Sequence, residues 1–262
     1  MKGIVVFVIG LLSVQQLCLA QSKPAGRPAP QKQPTGWHVG LSFGLANNVV
    51  EMDFSDKPFW RYDFAEGWQY PGLEVHRALS SRLRATLGVN ILQRGQQVKT
   101  IRQYAGVNDI LLVRNYLNVP IGLSIALFDT RLSPYISAGI YGAFWMSGKW
   151  KGSMLLTMSN PYEEGYDRSK LPAIDFEAPY TFGQSESTGI RENRLDFGGW
   201  GGFGLQYKTK KGLLAFIGFN ASRGLLPIYS DTKGVRGFEA RYNLTYIIQI
   251  GATISINKNV TK

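Results

Sequence analysis

Histidine is the side chain whose charge changes most readily near neutral pH, and the chain has two, His38 and His76. Glu74 lies two residues before His76, and Ser42 lies four residues after His38. A carboxylate or hydroxyl beside an imidazole can serve general acid–base catalysis, and the same groups can also form a buried hydrogen-bond network. The strands that carry these residues must therefore be located before either role is assigned.

Other patterns that could support chemistry are weak. The spacing of His, Cys, Asp and Glu residues matches none of the usual metal-binding motifs. The glycine-rich segment Gly198–Gly204 lacks the lysine of a phosphate-binding loop and lies inside a strand pattern, so it indicates close packing in a barrel interior. We expect no cofactor and no metal ion.

The N-terminus has the features of an export signal. Residues 1–20 combine a basic Lys2, an apolar run and small residues before a cleavage site. Cys18 also permits a lipoprotein interpretation, although the large Leu17 before it is unfavourable. Cleavage after residue 20 would remove the only cysteine and with it any disulfide. Residues 21–35, rich in proline and basic residues, predict a disordered periplasmic linker.

The clearest secondary-structure signal lies near the C-terminus, in Asn243–Ile256. Seven apolar residues alternate there with mostly small or polar ones, as in a strand whose two faces differ. A strand that crosses a membrane needs about 9–11 residues of this kind. The segment therefore predicts a transmembrane β-strand. Its apolar positions are Leu244, Tyr246, Ile248, Ile250, Ala252, Ile254 and Ile256.

Eight segments show this alternation, and the connections between them are alternately long and short, as in up-and-down barrels of outer membranes. We predict an all-β fold, an eight-stranded antiparallel up-and-down transmembrane barrel with long extracellular loops and short periplasmic turns over residues 36–257, followed by a polar tail, 258–262. Pro120 predicts a bulge or a local register break, since proline donates no ladder hydrogen bond. The predicted strands are Gly36–Ala46, Tyr70–Ala78, Leu83–Ile91, Leu117–Leu127, Pro134–Met146, Leu195–Tyr207, Leu213–Ala221 and Asn243–Ile256.

The interior of an eight-stranded barrel is just wide enough for side chains, so we expect a filled lumen. Polar residues of inward parity form the predicted lumen network, which comprises His38, Glu74, His76, Arg84, Asp196 and Gln206. Both histidines fall near the periplasmic rim, whereas lipid A chemistry takes place at the outer surface. We therefore predict that the protein is not an enzyme, with a lipid-modifying enzyme as the least favoured alternative.

Aromatic side chains crowd the first and third predicted loops. They can form an interfacial girdle and pack within their loops, contact a protein partner, or capture a small ligand. The candidate partner-contact residues are Phe59, Trp60, Tyr62, Trp68, Tyr162, Tyr166 and Tyr180.

Four motifs carry a resemblance to a known family: Tyr116–Leu123, Ser133–Tyr141, Asp196–Gly204 and Arg241–Asn243. Through them the chain resembles the PorT-like outer-membrane β-barrel family of Bacteroidetes. The resemblance implies the barrel fold and residence in the outer membrane. The namesake branch is linked to the type IX system that secretes proteins across that membrane.

The formal charge of +11 is scattered over turns and loops, so we expect no nucleic-acid partner. The sequence predicts a non-catalytic protein of the bacterial outer membrane. We expect it to contact outer-membrane lipid and a protein partner, as a structural or partner-binding component associated with secretion or surface assembly. The alternative is a narrow passive channel or a barrel for small-ligand uptake.

Overall fold

The computed structural model describes residues 36–51, 60–100, 107–155, 173–183, 191–231 and 242–256. All of them belong to the second of the two units into which the chain divides, Pro34–Lys262. Within these ranges no helix has the length and apolarity needed to cross a membrane. The predicted segments 1–20, 21–35 and 258–262 lie outside the described residues.

The described residues form twelve β-strands, and eight of them close into a ring. The order around the ring is β1, β3, β4, β5, β6, β9, β10 and β12, which pairs again with β1, and every pairing is antiparallel. The prediction of an eight-stranded up-and-down barrel is confirmed. The strands are β1 (Trp37–Glu51), β2 (Trp60–Asp63), β3 (Ala65–Ala78), β4 (Leu83–Thr100), β5 (Val107–Ala126), β6 (Leu132–Leu155), β7 (Ala173–Tyr180), β8 (Arg191–Glu192), β9 (Leu195–Lys208), β10 (Leu213–Gly224), β11 (Tyr229–Asp231) and β12 (Tyr242–Ser255).

The short turns and the chain ends of β1 and β12 share one rim of the barrel. Backbone hydrogen bonds join each turn to the neighbouring turn or chain end. The rim is therefore hydrogen-bonded all the way round the barrel. Gly212 has φ of +83°, which the last tight turn requires and glycine adopts without strain. The linking bonds run from Ala78 N to Gly36 O, Ala126 N to Arg82 O, Lys208 N to Arg131 O, Ser255 N to Gly212 O and Ile256 N to Trp37 O.

The outer face of the barrel is an apolar belt. Ile136 and Ile217 are each 50% exposed, and Ile250 also points outward. On β5 the outward apolar run extends from Leu117 to Ile125, while the inward residues between them include polar Asn118 and Ser124, both buried. Apolar side chains outside and polar side chains inside are the pattern of a barrel that crosses a lipid bilayer.

Several strands continue past this belt. Above Asn115 the outward residues of β6 include Lys149 and Lys151, and β7 pairs with the upper half of β6. We call the sheet formed by β2, β7 and the upper parts of β4, β5 and β6 the outer extension. Parts of the segments predicted as loops, Asn47–Trp68, Gly95–Arg114 and Ser147–Asn193, are therefore strand.

The bulge predicted at Pro120 is not there. Pro120 stays in continuous register, opposite Tyr141 on one side and between the Leu87–Ile121 and Asn90–Asn118 pairs on the other. Gly88 provides the space, because a Cβ at that position would lie 3.0 Å from Pro120 Cγ. The register shifts instead in β3, around Tyr70 and Pro71, where two consecutive side chains are exposed.

Candidate functional site

The lumen holds the polar side chains that the strands direct inward. The backbone N–H and C=O groups of the strands bond to each other in the ladders, so they are not free to pair with the side chains inside the barrel. Buried polar side chains therefore pair mainly with one another. They do so at two levels, one near the short-turn rim and one near the opposite mouth, with a small cavity between them.

The lower level is built around Glu74 and His76. His76 Nε2 lies 3.0 Å from Glu74 Oε2, and its Nδ1 lies 3.1 Å from Thr86 Oγ1. Gln249 donates to the other oxygen of Glu74, and Asn220 donates to Gln249 at 2.8 Å. Both carboxylate oxygens and both imidazole nitrogens therefore have partners, as in a structural network.

Two further predicted residues meet on this level. Arg84 donates to Gln206 across the lumen, and both side chains are buried. His38 lies opposite His76 in the ladder of β1 and β3, but its buried Nδ1 has no hydrogen-bond partner among the described residues. Lys208 closes this end by donating to the Ser81 carbonyl at 3.1 Å.

The upper level is centred on Asp196 of β9. Its carboxylate accepts from Arg94, from the Tyr141 hydroxyl at 3.1 Å and from Asn243 Nδ2 at 3.1 Å. The guanidinium of Arg94 lies 5.0 Å from the ring centres of both Tyr116 and Tyr141, so it is enclosed by aromatic faces. A fully buried ion pair with this many partners fastens opposite walls of the barrel together.

Above this level an aromatic cluster closes the mouth. Arg114 lies 3.7 Å from Glu192 and faces the rings of Trp145 and Tyr180, at 5.2 and 5.7 Å. Trp145 and Tyr180 stack with ring centres 5.4 Å apart, and the Tyr180 hydroxyl donates to Glu192. Burial, followed by this hydrogen bond, raises the pKa of Tyr180.

A cavity of about 100 Å³ lies between the two levels. Glu74, Asn118 and Trp200 are among the residues that line it. One water needs at least about 10–15 Å³ of such space, so the cavity is large enough for several waters. Among the described residues no group of three or more His, Cys, Asp or Glu side chains could hold a metal ion.

The predicted lumen residues all lie within the barrel, but not as one network. Glu74, His76, Arg84 and Gln206 occupy the lower level, and Asp196 joins Arg94 at the upper one. Our sequence interpretation missed Arg94, which has the inward parity of Arg84, because we ended its strand at Ile91. The alternation that places Arg84 inside the barrel continues to Arg94, beyond the last apolar residue of the predicted strand, and could have revealed it.

The predicted contact aromatics have different environments. Trp68 is 54% exposed on the outer wall opposite Leu45, as in an interfacial girdle, whereas Tyr180 is only 4% exposed inside the mouth. Trp60 and Tyr62 pair through β2 with Thr100 and Val98. The remaining three, Phe59, Tyr162 and Tyr166, lie outside the described residues.

The closed ladder, the apolar belt and the polar lumen define the class of structure, an eight-stranded barrel of the membrane-spanning type. No family model matches the chain, and no curated protein is detectably similar to it in sequence.

Several solved outer-membrane proteins are similar in structure. OprG from Pseudomonas aeruginosa is 10% identical with a TM-score of 0.43, over 86% of this chain and 97% of OprG. AlkL in lipid bilayers is 11% identical with a TM-score of 0.40, over 92% and 100%. Neisserial surface protein A is 12% identical with a TM-score of 0.38, over 84% and 97%. The assignment of the fold rests on the strand pairing of this chain itself.

Proposed function

We propose that the protein is an integral barrel of the bacterial outer membrane that acts, without catalysis, as a structural or partner-binding component. The observation that carries this proposal is the outer extension. Its strands continue past the apolar belt, and the outward face changes there from Leu117 and Phe144 to Lys149, Lys151 and Glu177. A charged, hydrogen-bonded sheet held above a membrane is suited to contacting another protein.

The filled lumen also supports this proposal, because it leaves little space for a solute to pass. Most side chains at both levels are buried and hydrogen-bonded within the lumen, and the aromatic cluster lies above them. A barrel of eight strands has little interior space to begin with. In this proposal the partner contacts the outer end of the protein, the short turns lie in the periplasm and residues 1–20 direct export.

The PorT-like resemblance refines this proposal. The motifs Tyr116–Leu123 and Asp196–Gly204, which carry the resemblance, contain residues of both the belt and the lumen. Because the namesake branch is linked to secretion, we assign the partner to a protein-secretion or surface-assembly machine. The loop aromatics Phe59, Trp60, Tyr62, Tyr162 and Tyr166 belong to the proposed contact.

The proposal is tested by crosslinking intact cells, solubilising the membrane in mild detergent and recovering the protein through a tag in the 21–35 linker. We expect secretion or surface-assembly proteins in stoichiometric amounts. Recovery of the barrel alone from crosslinked cells would contradict the partner-binding proposal.

The cavity between the two levels favours a second candidate, a narrow channel or a site for uptake of small molecules. Glu74, Asn118 and Gln249 line it and could pass water or a small solute if the two levels of the lumen opened. Single-channel recording in planar bilayers separates the two proposals, since reproducible openings would favour the channel.

A further inference from the structure

The short-turn rim is strongly basic. Its three turns, residues 79–82, 127–131 and 209–212, contain Arg82, Arg131, Lys210 and Lys211 but only one carboxylate, Asp129. All four cationic residues are exposed. The charges of the outer extension are mixed, since Glu177 pairs there with both Lys149 and Lys151.

The turns hold these cations in an ordered arrangement. The carbonyls of Arg82 and Arg131 accept the hydrogen bonds that link neighbouring turns. Ser80 Oγ accepts from Leu83 N at 2.9 Å, and Thr209 Oγ1 accepts from Leu213 N at 3.0 Å. The cations are therefore distributed around a closed, hydrogen-bonded rim.

Exposed apolar side chains lie in these turns or directly next to them. Leu79 is 45% exposed, Phe128 40% and Leu132 59%. Trp37 at the start of β1 is also exposed, and the Arg77 guanidinium lies 5.4 Å from its ring centre. An acidic protein surface would leave these leucines and the phenylalanine in water. A lipid leaflet offers hydrocarbon to the apolar groups and phosphate to the cations at adjacent depths.

We infer that this basic rim binds the headgroups of anionic phospholipids in the periplasmic leaflet of the membrane. The inference rests on the proposed membrane location and adds a lipid class and a binding surface to it. The attraction between a basic segment and an anionic leaflet is electrostatic, so added salt weakens it. At 0.1 M salt, charges more than about 10 Å apart are largely screened from each other.

The test uses the full chain folded into phosphatidylcholine vesicles that contain a trace of spin-labelled lipid, either phosphatidylglycerol or phosphatidylcholine. Electron paramagnetic resonance measures the fraction of each label that the barrel immobilises. For the wild type we expect a larger immobilised fraction of the anionic label at low salt, and nearly equal fractions of the two labels at high salt.

Two double variants locate the effect. Lys210→Gln/Lys211→Gln removes two rim cations, and we expect the preference for the anionic label to fall by about 5- to 25-fold, since each cation near a membrane surface contributes up to about fivefold. Lys149→Gln/Lys151→Gln removes the same charge from the outer extension and should leave the preference unchanged.

The outcomes separate the inference from the membrane proposal. Equal immobilisation of both labels by the wild type at low salt would overturn the headgroup inference alone, because the barrel would still be in contact with lipid. Immobilisation of neither label would show that the protein is not in the bilayer and would overturn both.

Discussion

Arg94 of β4 donates to Asp196 of β9 across the lumen, although two strands of the ring separate β4 from β9 on one side and four on the other. Both side chains are almost fully buried. A bridge of this kind ties opposite walls of the barrel together, and it closes the path that an open pore would need.

Removing one member of this bridge leaves the other buried without its partner. We expect Asp196→Ala to lower the free energy of unfolding by about 3–5 kcal/mol, because the Arg94 charge would remain in the interior. The double variant Arg94→Met/Asp196→Ala should lose less than Asp196→Ala alone, since it also removes that charge.

Urea unfolding of the barrel in lipid vesicles, followed by tryptophan fluorescence, measures both values. A larger loss in the double variant than in Asp196→Ala would mean that Arg94 is stabilised by its aromatic neighbours independently of the carboxylate.

The outward direction of alternate side chains on β12 predicts the effect of placing a charge in the apolar belt. Ile250 points outward, so Ile250→Arg should cost about 2–4 kcal/mol if the residue lies near the bilayer midplane. Ser153→Arg introduces the same side chain on the outer extension, where we expect a change within about 0.5 kcal/mol. Unfolding in vesicles compares the two, and equal stability of Ile250→Arg and the wild type would contradict the belt.

Two glycines of β6 form a matched pair that tests the packing of the lumen. A Cβ on the inward Gly139 would lie 2.0 Å from the Ile121 carbonyl oxygen and 2.8 Å from Trp200 Nε1, whereas a Cβ on Gly142 would meet nothing within 4 Å. Gly139→Ala should therefore cost about 1–3 kcal/mol.

Gly142→Ala should instead be neutral or stabilising by roughly 0.5–1 kcal/mol, because it reduces the entropy of the unfolded chain. Both substitutions are compared by urea unfolding in the same vesicles. Equal effects at the two positions would contradict the inward and outward assignment of β6.

The outer extension should respond to pH through Glu177. Hydrogen bonds from Lys149 and Lys151 lower the pKa of Glu177, and the hydrogen bond to Glu177 raises the pKa of Lys149. The pairing is therefore complete above the ordinary pKa of a glutamate and below that of a lysine. It is lost as pH falls through the lowered pKa of Glu177.

Amide hydrogen exchange of β7, corrected for its intrinsic pH dependence, measures this effect, which should be small because the groups are exposed. Protection of β7 should decrease at acid pH in the wild type and should be less pH-dependent in Glu177→Gln. If the protection of β7 decreased equally at acid pH in the wild type and in Glu177→Gln, groups other than Glu177 would cause the decrease.

The sequence predicted the barrel because lipid on one face and a polar interior on the other produce a strict alternation. Leu117, Ile121 and Ile125 show it clearly, and so do the residues of β12. That signal ends where the outer face enters water, since both faces are then polar. For this reason we placed strand ends too early, and Arg94 went unrecognised.

Other features depend on contacts that the alternation does not contain. The bulge around Tyr70 and Pro71 changes which residues face outward within a single strand. Pro120 is accommodated without a bulge because a distant residue in sequence, Gly88, lies beside it. Tyr180 lies in the mouth because Trp145, Arg114 and Glu192 surround it, and none of these is near it in the chain.

The most direct test of the account is site-resolved photo-crosslinking in living cells. A photoreactive amino acid replaces Glu177 on the outer extension in one strain and Ile136 on the apolar belt in another. We predict a discrete protein adduct from position 177 and none from position 136, where only lipid should be in reach. Protein adducts confined to position 136, or none at position 177, would contradict the claim that the barrel acts through its outer extension.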